Sequence, residues 1–453
     1  MTPKTPLLVT IIILCLISFE KTNYAQEITP RPLSRRLQAE KDNLNAPKHP
    51  VITRLPITVT MSGYVSNNIF WNTYQIFGFQ ELDALASPKP KLIDPCGADI
   101  HAHGSINILP IESNIRFDFI GPDVGSAAAT AAIETNFFGQ EVISINQLTM
   151  LQAYIALDWA NVSLLAGQSY HPIMFPALFP DPISYNKGMP IVPYAFAPQF
   201  RVTYHSSWGD IIFAALSEVN TPLIGLKGFD GPSGPSTMYF RNGIMPKLHL
   251  QWRAPLGNHF IGIGADIKRL VPRLVTNTGF KAEESLVSGA AITYFEFYGD
   301  RIKGAAKATL AQNGIDYSLT GGYAVSTINP DTDQRTYANL TIGSLCFDIE
   351  RSGILEPGIF VGVLKNLGAS KNIIQSIDTP GRPVETTIYG FNTDMDTLFR
   401  CAPRLRYYYE PLVVGTEIEI TRAAFGTIDN QGEVINTKPT TNARFLLAVY
   451  YFF

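Results

Sequence analysis

The chain reads as an all-β protein, a transmembrane antiparallel β-barrel of about 16 strands with short turns at one end and long loops at the other. Three observations lead there. Apolar and polar side chains alternate in stretches of about ten residues, the length that crosses a membrane as a tilted strand. Tight turns alternate along the chain with long segments rich in Gly, Pro and Asn. Of the 453 residues 46% are apolar and 11% aromatic, while only 16% are Asp, Glu, Lys or Arg, against about 25% in soluble domains. So apolar a chain cannot stay disordered and solvated. With 35 Lys and Arg against 38 Asp and Glu, it makes no electrostatic case for a nucleic-acid partner.

The N-terminus fixes the compartment. Lys4 precedes an apolar run from Leu7 to Phe19, and polar residues then lead to Asn23-Tyr24-Ala25, the pattern of a cleaved secretory signal. Residues 1–25 therefore read as a signal peptide, residues 26–56 as a short periplasmic segment, and residues 57–453 as the barrel. The apolar run is shorter than the roughly 20 residues of a helical span, and the later chain shows no stretch of that length. Cys96, Cys346 and Cys401 are too few for a disulfide scaffold. Cys346 and Cys401 fall on strands separated by one other, about 10 Å apart by strand spacing, beyond disulfide reach.

Each barrel element follows from a period of two, which puts alternate residues on opposite faces. The first strand lies near Thr58 to Trp71, and the stretch 98–112 is ambiguous between strand and loop. Arg116 and Asp118 alternate with Phe117 and Phe119. Gln152 and Tyr154 alternate with Leu151, Ala153 and Ile155; Arg201 and His205 with Phe200, Val202 and Tyr204; Gln251 and Arg253 with Leu250 and Trp252. Tight turns are expected at Pro122–Gly125, Trp159–Asn161, Ser206–Gly209, Ala254–Gly257, Gly299–Asp300, Ser352–Pro357 and Glu410–Pro411. Long loops are expected at 171–197, 220–246, 366–397 and 425–441. Seven hairpins give fourteen strands, and the first strand with a last one at Asn442–Phe453 makes sixteen. The final strand sets Phe445, Leu447, Val449, Tyr451 and Phe453 on one face.

Alternation sends Arg116, Arg201, Arg253, Lys303, Lys307, Arg400, Arg404 and Arg406 inward, with Asp118, Glu134, Glu296, Glu417 and Glu419 as inward acids. In a water-filled barrel such cations concentrate anions, because low-dielectric walls focus the field. Pairing with Glu417 and Glu419 on the next strand would cancel that field.

Once the strands are in order, Asn114 to Phe200 resembles the early part of a trimeric general porin. Thr130 to Gly139, Gln152-Ala-Tyr-Ile-Ala-Leu and Leu164-Leu-Ala-Gly-Gln168 carry the likeness. Ala166-Gly-Gln-Ser-Tyr170 and Phe175-Pro-Ala-Leu-Phe-Pro-Asp181 most resemble the DcaP-type porins. The resemblance implies passive diffusion of small hydrophilic solutes across the outer membrane of a Gram-negative-type cell, and the inward cations point to anions among those solutes. It implies a homotrimer in outer-membrane lipid, installed by the barrel-assembly machinery. It also implies that the loop around 171–198 folds into the lumen as a constriction, carrying Phe175, Phe179, Asp181, Tyr185 and Lys187.

Other chemistries fare less well. Asp94, Cys96, Asp99, His101 and His103 form a metal-like cluster, but no second half follows the His-x-His pair, and a solvated pair is commoner. His205 and Ser207 form a His-x-Ser pair without an evident third partner to orient the imidazole. No phosphate-binding Gly loop appears, and no cofactor or metal is called for. A hydrolase on a β scaffold and a non-conducting surface binding barrel are the competing readings. A 22-stranded transporter with a plug does not fit this length.

Overall fold

The computed structural model describes residues 56–79, 84–139, 147–174, 180–218, 236–377 and 385–453. The expected signal peptide and nearly all of the short segment after it lie outside these residues, as do Phe175 and Phe179. Sixteen antiparallel strands close on themselves. They are β1 (Thr58–Asn72), β2 (Ser105–Leu109 and Asn114–Ile120), β3 (Ala128–Asn136), β4 (Thr149–Asp158), β5 (Val162–Tyr170) and β6 (Phe196–Ser206). Then come β7 (Gly209–Leu216), β8 (Lys247–Leu256), β9 (His259–Leu270), β10 (Leu286–Tyr298) and β11 (Ile302–Gln312). The barrel finishes with β12 (Arg335–Arg351), β13 (Leu355–Ala369), β14 (Met395–Tyr409), β15 (Leu412–Ile428) and β16 (Val434–Phe452). Closure abolishes the unpaired sheet edge that lipid would leave unsatisfied.

The closing seam pairs β1 with β16, from Tyr64 opposite Phe452 to Asn72 opposite Arg444. Trp71 stacks on Phe445 across it, centroids 5.3 Å apart, an outward aromatic pair of the kind that fixes register. The outward face is apolar as the alternation requires: Phe200, Val202, Leu250, Trp252, Ile263, Phe347, Leu405 and Ile418 are all exposed. The turns at one end fall where the sequence places them, and β2 resolves the ambiguous stretch, with strand from Ser105 onward.

The segment 425–441 is not a long loop. β15 runs to Ile428 and β16 starts at Val434, leaving a turn of five residues. Its Asn, Thr, Lys and Pro residues suggest a loop because they break the apolar alternation. The ladder nevertheless continues, with Asn436 to Pro439 exposed, as outward residues can be once a strand has left the lipid. Cys346 is buried, while Cys401 lies on the opposite face of its strand; both are free thiols, as is the exposed Cys96.

Three segments enter the barrel from the loop end, one of them the short turn 314–319 between β11 and β12, whose Asp316 holds Lys247 and Lys268 and whose Tyr317 donates to Asp266. The hairpin of Ile76–Phe79 and Ala84–Pro88 buries Leu85 and Ala86 completely or nearly so. The long loop after β5 buries Ile173, Ile191, Val192 and Ala195 in an apolar cluster with Ile292, Tyr294, Phe360, Leu364, Leu398 and Ala402. The inward face of β10 to β15 is thus partly apolar, a departure from the plain apolar-out, polar-in pattern, because it meets protein instead of water.

Candidate functional site

The lumen has two unlike walls. On β11 to β16 the inward ionic side chains hold the inserted segments. Lys307 donates to Ile173 O at 2.5 Å. Arg400 donates to Met189 O at 2.5 Å and Leu85 O at 2.6 Å, gripping loop and hairpin at once. Glu417 accepts the Ile183 N–H at 2.6 Å, and Glu419 accepts from the Asn186 amide. Arg444 reaches Ser184 Oγ at 3.3 Å. Arg400, Glu417, Glu419 and Arg444 are no more than 1% exposed. Burying so much charge is tolerable only when it is paired and hydrogen-bonded.

Arg404 and Arg406 show how local geometry selects partners. Arg404 lies opposite Glu417 in register, yet it turns the other way and forks onto Asp348 at 2.6 and 2.9 Å and onto Glu350 at 2.8 Å. Gly358 stands between Arg404 and Glu350 in the same cross-strand row, and a Cβ there would come within 2.8 Å of the guanidinium carbon. The missing side chain is the space the arginine occupies. Gly362 and Gly415 likewise admit Ile191 and Ile183 of the loop. Arg406 meets Glu350 at 3.1 Å and the Asp181 carboxylate at 3.0 Å; Lys303 meets Glu350 at 2.7 Å. Partial burial would raise the Asp181 carboxyl, but Arg406, Lys187 and Arg404 outweigh it and hold that carboxyl well below its ordinary range.

The other wall faces water. On β2 to β7, and at the turn end of β8, the inward residues Arg116, Asp118, Glu134, Tyr154, Ser163, Arg201, Thr203, His205, Asp210 and Arg253 all keep solvent access, whereas Lys247, His249, Asp266 and Lys268 of β8 and β9 are buried. Arg116 bridges Asp118 at 2.8 Å and Glu134 at 2.9 Å, and donates to Tyr154 OH at 3.3 Å. Arg253 meets Glu296 at 2.9 Å and lies over the Phe260 ring at 3.7 Å. Arg201 forms no ion pair with any described residue. Tyr185 of the loop stacks on Phe138, centroids 3.7 Å apart, and its hydroxyl lies 3.3 Å from that of Tyr194. Lys187 donates to Pro182 O at 3.2 Å and lies 3.5 Å from Asp181.

Asp94, Cys96, Asp99, His101 and His103 do not converge. Asp94 accepts the N–H groups of Cys96 and Ala98, and Asp99 accepts those of Leu92 and His101 together with the Tyr74 hydroxyl. Their polar groups build the loop itself. His171, His249 and Asp266 do converge, deep in the lumen. His171 Nδ1 accepts the Ile173 N–H at 3.1 Å, so in the neutral ring Nε2 carries the proton and points it toward Asp266. A proton there leaves no lone pair for a metal. His249 holds the other Asp266 oxygen at 2.7 Å and Tyr317 donates to that carboxylate at 3.0 Å.

Sequence reasoning missed Asp348, Glu350 and Arg444, whose inward alternation was available to it, and Ser163 and Asp210, whose significance only strand pairing reveals.

No family model and no curated protein matches this chain. Among solved structures, the outer membrane channel DcaP of Acinetobacter baumannii aligns over 88% of this chain and 97% of its own, at 13% identity and a TM-score of 0.61. OmpT of Vibrio cholerae, an outer-membrane protein, aligns over 89% and 100%, at 10% identity and a TM-score of 0.51. The chain has the barrel fold of outer-membrane channels.

Proposed function

We propose that this protein is an outer-membrane porin that lets small hydrophilic solutes diffuse through a channel offset toward β2 to β7. The observation that carries this reading is the division of the lumen: solvent-accessible ionic side chains line one wall, while the inserted segments fill the other. Arg116, Glu134, Arg201, Arg253 and Lys303 line the path in this reading. Arg400, Arg404, Arg406, Lys307, Glu417 and Glu419 support the loop beside it. Asp181, Tyr185 and Lys187 of the loop form the constriction.

Arg201, with no acid paired to it among the described residues, favours anions over cations of equal size. The exposed apolar band supports a place in outer-membrane lipid, with the loop end outside and the turn end in the periplasm. Delivery by a cleaved signal at residues 1–25 and by the barrel-assembly machinery, and association as a homotrimer, complete the proposal. Passage, not catalysis, is the barrel's main task in this reading. Reconstitution in planar bilayers tests it: discrete conductance steps with an anion-selective reversal potential are expected, and a barrel that inserts without conducting would return the assignment to a surface binding protein.

A further inference from the structure

Beyond that reading, the geometry points to a second activity: we infer that Ser163, His205 and Asp210 form a hydrolytic triad for small water-soluble esters, set in the water-facing wall near the turn end. Strand pairing assembles it. Ser163 on β5 lies opposite Thr203 on β6, His205 follows two residues on with its side chain on the same face, and Asp210 on β7 lies opposite His205. Ser163 Oγ is 2.9 Å from His205 Nε2, and His205 Nδ1 is 2.9 Å from Asp210 Oδ1. Both contacts lie within hydrogen-bond reach and in the order a nucleophile, a base and an orienting carboxylate require. Asp210 fixes the tautomer: with the proton on Nδ1 directed at the carboxylate, Nε2 presents its lone pair to the serine hydroxyl. The His205 backbone N–H donates to Asn161 O at 2.8 Å, tying its strand to the turn just before Ser163. Of the serines next in sequence, Ser206 donates its hydroxyl to Gly209 O and Ser207 sits in the following turn.

Access separates this group from the buried histidines. The His205 side chain is 41% and that of Asp210 31% exposed, and Ser163 is half-buried, so a dissolved ester can approach. The reaction balances on these groups and water. Ser163 Oγ attacks the ester carbonyl while its proton passes to His205 Nε2. The bond to the alcohol then breaks, and the leaving oxygen takes that proton. Water, deprotonated by His205, cleaves the acyl-serine, releasing the carboxylic acid and restoring the hydroxyl. The negative charge that develops on the carbonyl oxygen needs a donor. Arg201 is two residues from Thr203 on the same inward face, and it has no ion-pair partner among the described residues. Acetyl and butyryl esters suit a site on a water-lined wall; a lipid chain would have to leave the bilayer to reach it.

The test uses the full folded protein in detergent, with diisopropyl fluorophosphate as probe and p-nitrophenyl acetate as substrate. Peptide mass spectrometry is expected to place the phosphoryl adduct on Ser163. S163A should lose the adduct and the ester turnover, and H205Q should slow both by about 100-fold or more, the usual worth of a positioned base. S207A should retain both. Heat-modifiable gel migration shows that each variant is still a closed barrel. Labelling of Ser163 no faster than that of other exposed serines, or ester turnover undiminished in folded S163A, would overturn the triad and leave a hydrogen-bonded relay in the barrel wall.

Discussion

The wall of β2 to β7 and the wall of β11 to β16 obey the same alternation, yet charge does different work in each. Arg116 and Arg404 both fork between two carboxylates on inward positions. Arg116 keeps 23% of its side chain in water, while Arg404 keeps 1%. The difference is the inserted loop. Once residues 180–195 pack against β13 to β15, every ionic group beneath them needs a protein partner, and each has one in a neighbouring strand or in the loop backbone. On the open wall, water supplies the remainder.

The largest effect should come from removing what makes the walls differ. Deleting Ile183 to Val192 takes away the segment that Arg400, Glu417 and Glu419 hold, and single-channel conductance is expected to rise several-fold. An unchanged conductance would mean that the open wall already sets the whole current. Next come the anchors themselves. Arg404→Ala leaves Asp348 and Glu350 buried with one cation fewer, a loss on the order of 3–5 kcal/mol, visible as earlier heat-induced unfolding on gels. Arg116→Ala, whose partners reach water, should cost about 1 kcal/mol or less. Equal losses would erase the distinction between the walls.

Selectivity sharpens the comparison further. Arg201→Gln should move the reversal potential toward cations, whereas Arg404→Gln should leave selectivity nearly unchanged in the barrels that fold, its charge being already matched by Asp348 and Glu350. The Arg201 effect should fade with salt, as the Debye length falls from about 10 Å at 0.1 M to about 3 Å at 1 M. A shift confined to Arg404→Gln would place the current on the other side of the lumen.

Much of this molecule is legible in the sequence, for a definite reason. Period two and the turn residues are local, so strand order, turns and the inward direction of Arg400, Arg404 and Arg406 can all be read without coordinates. Partners cannot. Arg404 avoids its in-register Glu417 because Gly358 leaves room on the other side, a fact of shape. Which inward charges face water depends on a loop whose docking surface, Gly362, Phe360 and Gly415, comes from strands more than 160 residues later. Ser163, His205 and Asp210 meet only because β5, β6 and β7 adjoin in register.

The smallest effect concerns the loop's ionic tip. Asp181 sits between Arg406 at 3.0 Å and Lys187 at 3.5 Å, and these cations hold its folded carboxyl below the unfolded value, about 3.9. A depressed acid contributes stability above its unfolded pKa and loses it as pH falls through the folded one. Wild type should therefore exceed Asp181→Asn in thermal stability by a constant margin from pH 7 down to about pH 5, and the two should converge below about pH 4. The margin should be about 1 kcal/mol or less, because the carboxylate is half exposed and screened. Tryptophan fluorescence melts across that pH range measure it. A margin that persists undiminished to pH 2 would assign the stabilisation to the Asp181 backbone, whose N–H donates to Asp348 at 3.2 Å and whose carbonyl accepts from Arg406, contacts that Asn would keep in part.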